Sequence, residues 1–164
     1  MDTPRQLQER DLNNAMLVLI DSAIEELRAQ GYVDTGQGIS SFETKIEVTG
    51  LRVLEGQIWG EEYLMFLDTG TEPHRPPFDG IFPWVRRKFG LSEEESVNAT
   101  WAVITNIGKY GTPTPNSYEL STNGRRLEWS KFAALAAEED IDRIFEDGEW
   151  VELALDNVIR ENLE

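Results

Sequence analysis

The residues of this sequence that could best carry out chemistry are a run of carboxylates towards its end. Oxygen ligands suit hard cations, so these residues could support metal-dependent hydrolysis. They are Glu138, Glu139, Asp140, Asp142, Glu146, Asp147, Glu149, Glu152 and Asp156. Every fourth residue from Glu138 to Glu146 is acidic, which is the spacing of one solvated helix face, and no calcium-loop pattern is present. A solvated or partner-facing helix is therefore favoured and no metal is expected, although an acid-metal hydrolase remains an alternative.

Nucleophilic catalysis would depend on His74, because the sequence has no cysteine and no other histidine. His74 lies between Pro73 and Arg75 in a proline-stiffened loop, which favours a turn or interface residue over a general base. The same composition removes most zinc and transition-metal sites. The loop 32–42 lacks the third glycine and the preceding strand of a dinucleotide-binding fingerprint. We therefore expect neither catalysis nor a cofactor.

Basic residues stand out because the chain has 31 acidic and 15 basic residues and a net charge of −16. The prominent ones are Arg75, Arg86, Arg87 and Lys88, followed later by Arg125 and Arg126. Only Trp84 and Phe89 lie close enough in sequence to supply the aromatic residues of a nucleic-acid surface. The favoured interpretation is a basic face that meets the acidic face of a neighbouring subunit, since such head-to-tail contacts close into rings.

The acidic balance itself supports more than one interpretation. A net charge of −16 repels phosphate backbones, so nucleic-acid binding by bulk electrostatics is disfavoured. The charge could serve solubility, or it could let the surface pass close to polyanions without adhering to them. An acidic adaptor that mimics nucleic acid for a basic partner is a further alternative. We expect no membrane span and no secretory signal, because no long apolar run is present.

The first half of the sequence predicts one helix followed by two strands. Apolar residues at helical spacing predict a helix over 4–30, with Thr3 or Asp2 as its cap. Alternation predicts antiparallel strands over 44–48 and 51–59 with a turn at Gly50, and Glu55-Gly56 is either a bulge or a second turn. The apolar segment 63–67 is compatible with either a helix or a strand.

The second half predicts mainly helices. A short helix is expected over 82–89, and Ser92 with Glu95 forms a capping box for the next one. The apolar side of that helix contains Val97, Trp101, Ile104 and Ile107 or Gly108. Two C-terminal helices are expected over 129–145 and 149–163, and 117–126 is either a hairpin or a long loop. The expected fold is α+β in a single domain, 1–164, with a small antiparallel sheet packed against an N-terminal helix and several C-terminal helices.

The five tryptophans divide into two groups. Trp59 and Trp101 follow the apolar periodicity and are expected in the core. Trp84, Trp129 and Trp150 lie beside charged residues or turns, so they are candidate interface anchors.

Four segments carry a family resemblance. Tyr63-Leu64-Met65-Phe66-Leu67 leads into Asp68-Thr69-Gly70-Thr71, then into the loop Pro73-His74-Arg75-Pro76-Pro77 and the helix Pro83-Trp84-Val85-Arg86-Arg87-Lys88. The later run from Ala102 to Thr112 resembles a second helix that ends in a Gly-Thr-Pro loop. Together these segments resemble the neck or tail-completion proteins of tailed bacteriophages.

The resemblance implies a virion structural protein and not an enzyme. Such proteins form a ring, usually a hexamer, at the head-proximal end of the tail, where they end growth of the tail tube and join it to the head connector. The implied partners are other copies of the chain, the head connector or stopper protein and the tail tube protein, while DNA passes through the ring without sequence-specific binding. Assembly in the host cytoplasm and localisation to the virion neck follow from it. The expected assembly interface comprises Asp68, Thr71, His74, Arg75, Trp84, Arg86, Arg87 and Lys88.

Overall fold

The computed structural model describes residues 3–49 and 53–148 of the 164-residue chain. The predicted turn at Gly50, the predicted helix over 149–163 and the candidate anchor Trp150 lie outside the described residues. Within them the architecture is mixed, with helices and a two-stranded antiparallel sheet, which confirms the predicted α+β class. None of the helices described has the length and apolar composition needed to cross a bilayer.

The first helix, α1, spans Pro4–Ala29, in agreement with the prediction. Thr3 caps it: the Thr3 hydroxyl accepts a hydrogen bond from the Gln6 backbone, and the Gln6 side chain accepts one from the Thr3 backbone. Its buried face contacts both the sheet and the helix Trp129–Glu146, so α1 is the element around which the described core is built. The buried apolar residues of this face are Leu7, Ala15, Met16, Ile20, Ala23 and Leu27.

The sheet follows a short helix, α2, over Gln37–Ser40. Strands β1 (Glu43–Thr49) and β2 (Val53–Trp59) pair without interruption, with Ile46 opposite Gly56. The bulge or second turn expected at Gly56 was therefore wrong. A Cβ atom there would lie 2.9 Å from the Met16 sulfur and 3.1 Å from Leu12 Cδ1. The glycine lets α1 approach the sheet closely.

Three helices follow the sheet: α3 (Tyr63–Thr69), α4 (Phe78–Phe89) and α5 (Glu93–Tyr110). The apolar segment 63–67, compatible with a helix or a strand from its sequence, is helical. Helix α4 begins four residues earlier than predicted, since Pro77 is its N-cap in an extended conformation and Pro83 lies inside it. The capping box of Ser92 and Glu95 is confirmed.

The buried side of α5 is rotated relative to the prediction. Ser96 and Thr100 are fully buried together with Ile104 and Ile107. The Ser96 hydroxyl donates to the Ser92 carbonyl at 2.7 Å, and the Thr100 hydroxyl donates to the Ser96 carbonyl at 2.6 Å. Because the preceding turn satisfies both hydroxyls, these small polar residues can be buried.

The chain then forms a 3₁₀ turn over Pro115–Leu120 and the helix α6 over Trp129–Glu146. The segment 117–126 is thus a turn and loop and contains no hairpin. Helix α6 confirms the prediction for 129–145 and packs against α1 through a side that includes the buried Ala133 and Ala137. Helices α4 and α5 pack on each other and present a separate surface.

Candidate assembly surface

A row of five side chains runs across α4, α5 and the loop before α4. Arg75 lies over the Trp101 ring at 5.6 Å, and the Trp101 and Phe78 rings are 5.1 Å apart. Phe78 stacks on Phe82 at 5.3 Å, and Arg86 lies over Phe82 at 5.9 Å. These residues, Arg75, Trp101, Phe78, Phe82 and Arg86, are named here the Arg–aromatic ladder.

The ladder is stabilised by its internal contacts yet remains open to partners. Aromatic pairs contribute about 0.5–1.5 kcal/mol beyond burial, and exposed cation–π contacts about 0.5–1 kcal/mol. Trp101 is 45% exposed, and within the described residues neither Arg75 nor Arg86 forms an ion pair. Exposed arginines on aromatic rings are the side chains enriched at the energetic centres of protein interfaces.

Two tryptophans expected in the core are on the surface. Trp101 faces outwards because the opposite side of α5, with Thr100 and Ile104, is the buried one. Trp59, the last residue of β2, is 59% exposed and donates from its indole nitrogen to Gln57 Oε1 at 3.3 Å. The core prediction for both was wrong.

Of the residues predicted for the interface from α4, Arg87 has a partner within the chain. Its Nη2 and Nε lie 2.6 and 3.1 Å from Asp34 Oδ2. Hydrogen bonding from Arg87 lowers the pKa of Asp34, and Asp34 raises the pKa of Arg87 in return. Arg87 therefore ties α4 to the loop after α1. Lys88 forms no ion pair among the described residues.

Trp84 packs edge-to-face on Phe89 at 5.8 Å, and both rings line a cavity. This cavity, about 690 Å³, separates α4 and α5 from the loop after α1 and is walled mainly by aliphatic and aromatic side chains. Arg126, 8% exposed, also lines it; its Nη1 donates to the Gln30 carbonyl at 2.5 Å and its guanidinium covers the Tyr32 ring at 4.1 Å. Burial lowers the pKa of Arg126.

Asp68 performs a structural task at the start of α6. Its Oδ1 accepts from the Ser130 backbone nitrogen and its Oδ2 from the Ser130 hydroxyl, both at 2.8 Å. The Asp68 carbonyl accepts from the backbone nitrogen of Glu128, which has a left-handed φ of 56° and supplies no side-chain cap. Asp68 therefore caps α6 from a distant position in the sequence.

Thr71 and His74 tie the loop after α3 to the end of α5. The Thr71 hydroxyl lies 2.9 Å from the Thr112 hydroxyl, and the His74 backbone nitrogen donates to the Ile107 carbonyl at 3.4 Å. His74 Nδ1 lies 2.9 Å from the Glu72 carbonyl oxygen. The same Nδ1 lies 3.3 Å from the Thr71 hydroxyl, so the ring is held by contacts within its own loop.

The eight residues predicted for the interface therefore do not act as one group. Asp68, Thr71 and Arg87 are engaged within the chain, and His74 organises its own loop. Arg75 and Arg86 join the ladder together with three residues that sequence reasoning did not assign to it: Phe78, Phe82 and Trp101. The first two are four residues apart in one helix, a spacing that places them on one face.

A second surface lies on the outer side of α6. Leu135, Glu138, Glu139, Asp142 and Glu146 line a common hollow, to which Arg143 also contributes, and Leu135 is 58% exposed. These five residues are named here the acidic stripe. Glu139 pairs with Arg143 at 2.9 Å, whereas Glu138, Asp142 and Glu146 form no ion pair within the described part of the chain. Within the described residues no group of three His, Asp or Glu side chains could hold a metal ion. Glu149, Glu152 and Asp156 lie outside the described residues.

Comparison of the chain with protein-family models, with curated proteins and with solved structures finds no match.

Proposed function

We propose that this chain is a structural virion protein of a tailed bacteriophage. It forms a ring, of six subunits, at the head-proximal end of the tail, ends growth of the tail tube and joins the tail to the head connector. The observation that supports this proposal is the Arg–aromatic ladder. It offers two arginines without ion pairs and a half-exposed tryptophan on a chain of net charge −16, chemistry that suits the docking of an acidic protein surface.

The two Gly-Thr corners of the resembling segments support the same proposal. Gly70-Thr71 ends α3 and Gly111-Thr112 ends α5, and the two corners pair through an antiparallel bridge. This pairing fixes the loop 72–77 against α5 and brings Arg75 onto Trp101. The resembling segments thus act together as a scaffold that presents the ladder.

The proposed partners are further copies of the chain, the head connector or stopper protein and the tail tube protein. DNA passes through the ring and is not bound. A net charge of −16 supports such passage, because a wall of like charge raises the free energy of phosphate contact.

The test is the assembly state of the purified protein and its effect on tail tubes. Mass photometry and negative-stain microscopy are expected to show rings with a central channel. Added to the polymerising tube protein, the chain is expected to cap the tubes and shorten them. A chain that stays monomeric at its highest attainable concentration and leaves tube length unchanged contradicts the proposal.

A further inference from the structure

We infer that the ring closes by pairing the Arg–aromatic ladder of one copy with the acidic stripe of the next. This inference rests on the proposed function and names the two surfaces that would meet. Its starting point is that each surface lacks, within the described residues, what the other offers. The ladder holds two guanidinium groups without carboxylate partners, and the stripe holds three carboxylates without cationic partners.

The two surfaces also match in their apolar parts. The ladder places Trp101, Phe78 and Phe82 between its two arginines. The stripe has Leu135 in the same hollow as its carboxylates. An interface centre that combines apolar contact with enclosed ion pairs is more selective than either alone, because a like-charged or uncharged partner leaves buried groups unpaired.

The placement of the surfaces predicts the symmetry. The ladder belongs to α4, α5 and the preceding loop, whereas the stripe belongs to α6, which packs its other side on α1. Different patches on the two partners make a head-to-tail contact, and such contacts generate a ring when the rotation closes. The stripe rises about 16 Å along its helix from Leu135 to Glu146 at 1.5 Å per residue.

Single-stranded nucleic acid is the competing occupant, since stacking platforms also combine arginine with aromatic rings. The ladder has only two such cations, on a chain of net charge −16. A phosphate backbone would meet this charge along the rest of its path. A carboxylate-bearing helix of a second copy is therefore favoured.

The experiment exchanges the charges of the two surfaces. The ladder variant carries Arg75→Glu and Arg86→Glu, and the stripe variant carries Glu138→Arg and Asp142→Arg. All four side chains are exposed and none forms an ion pair in the described part of the chain, so circular dichroism is expected to stay native. The melting temperature of the ladder variant is expected to fall only slightly, through loss of the two cation–π contacts. Each variant alone is expected to self-associate at least about tenfold more weakly than the wild type, because like charges then face each other.

Mixing the two variants is the decisive step. In the mixture each acidic ladder meets a basic stripe and each basic ladder meets an acidic stripe, so assembly is expected to return, with the two variants alternating. A control with Lys45→Glu and Lys109→Glu lowers the net charge by the same amount without changing a ladder residue, and the ion pair that it breaks is the exposed one between Lys45 and Glu47. This control is expected to assemble like the wild type.

The outcomes separate the inference from the proposed function. Two results overturn the pairing and leave the ring proposal standing, provided that the wild type assembles. The first is that either variant alone also assembles, and the second is that the mixture of the two folded variants stays monomeric. A wild type that never assembles overturns both. Ladder-dependent binding of a single-stranded oligonucleotide, measured by fluorescence anisotropy, at concentrations where the wild type does not self-associate assigns the ladder to nucleic acid instead.

Discussion

Thr71 and Thr112 hold each other through backbone and side chain. The Thr71 nitrogen donates to the Thr112 carbonyl at 2.8 Å, and the Thr112 nitrogen donates to the Thr71 carbonyl at 3.2 Å. Their hydroxyls lie 2.9 Å apart. Since 41 positions separate the two residues, this bridge fixes the loop that carries Arg75 relative to α5. The arrangement of the ladder therefore depends on it.

Gly111→Ala tests how closely the two corners must approach. Gly111 has φ +75°, and a Cβ atom there would lie 1.9 Å from the Thr71 carbonyl oxygen. The backbone must move, so we expect a loss of about 3 kcal/mol in the free energy of unfolding, measured by urea denaturation. The fluorescence of Trp101 should also change, because Arg75 moves relative to its ring.

Gly90→Ala is the matched control for that substitution. Gly90 also ends a helix with a positive φ, +60°, but a Cβ atom there meets nothing within 4 Å. Only the cost of the left-handed conformation applies, about 1 kcal/mol. If the two variants lose the same free energy of unfolding, the close approach of Gly111 to Thr71 does not contribute to stability.

Local patterns account for the parts of the fold that the sequence predicts correctly. The capping residues Thr3 and Ser92 act within one turn of their helices, so they are recognisable without tertiary information. The buried side of α5 cannot be recognised in this way. It includes Ser96 and Thr100, whose hydroxyls can be buried because they donate to carbonyls of the preceding turn. Hydrophobic periodicity treats these residues as polar and selects Trp101 instead.

The ladder was partly foreseen, through its arginines, and partly missed, through its rings. Arg75 and Trp101 come together because the loop after α3 is bound to the end of α5, a contact that no local pattern encodes. Asp68 is assigned to the interface by the resemblance alone. The structure adds a role that no local pattern encodes, since Asp68 caps α6 through Ser130, 62 positions later.

Asp68→Ala is expected to weaken the start of α6. The Ser130 backbone nitrogen and hydroxyl both lose their acceptor, and loss of a helix cap costs about 1–2 kcal/mol. Chemical denaturation measures the loss. Ser130→Ala removes only the hydroxyl contact and keeps the backbone one, so it should cost less than about 1 kcal/mol. If the Asp68 variant is as stable as the wild type but fails to assemble, Asp68 belongs to the interface after all.

Glu26→Gln probes the link between α1 and the loop before α6. Glu26 accepts two hydrogen bonds from Arg125, both at 2.9 Å, and one from Asn123 at 3.0 Å. Burial raises the pKa of Glu26, but the hydrogen bonds from Arg125, Gln30 and Asn123 outweigh it, so the net shift is downward. At neutral pH the variant is expected to lose about 2 kcal/mol of stability.

The pH dependence of that loss has a definite sign. A carboxyl whose pKa is lower in the folded state stabilises the fold above its unfolded pKa, 4.5 for Glu26, and this stability disappears as the pH falls through the folded value. The difference in free energy of unfolding between the wild type and Glu26→Gln, measured by urea denaturation, should thus become smaller below pH 4.5. Glu25→Gln is the control: its side chain is 75% exposed, and the change should stay below about 0.5 kcal/mol.

Arg86→Gln and Arg87→Gln separate the two roles of neighbouring arginines. Arg87 pairs with Asp34, so its replacement should lower the free energy of unfolding, a loss that fades as the pH falls below 3.8, the ordinary pKa of Asp34. Arg86 has no ion pair in the described residues but covers Phe82. Its replacement should remove only that cation–π contact, a loss of about 0.5–1 kcal/mol that does not depend on pH near 3.8, and should weaken self-association, measured by sedimentation. The reverse pattern, with assembly sensitive to Arg87 and indifferent to Arg86, would move the interface from the ladder to the side of α4 that faces Asp34.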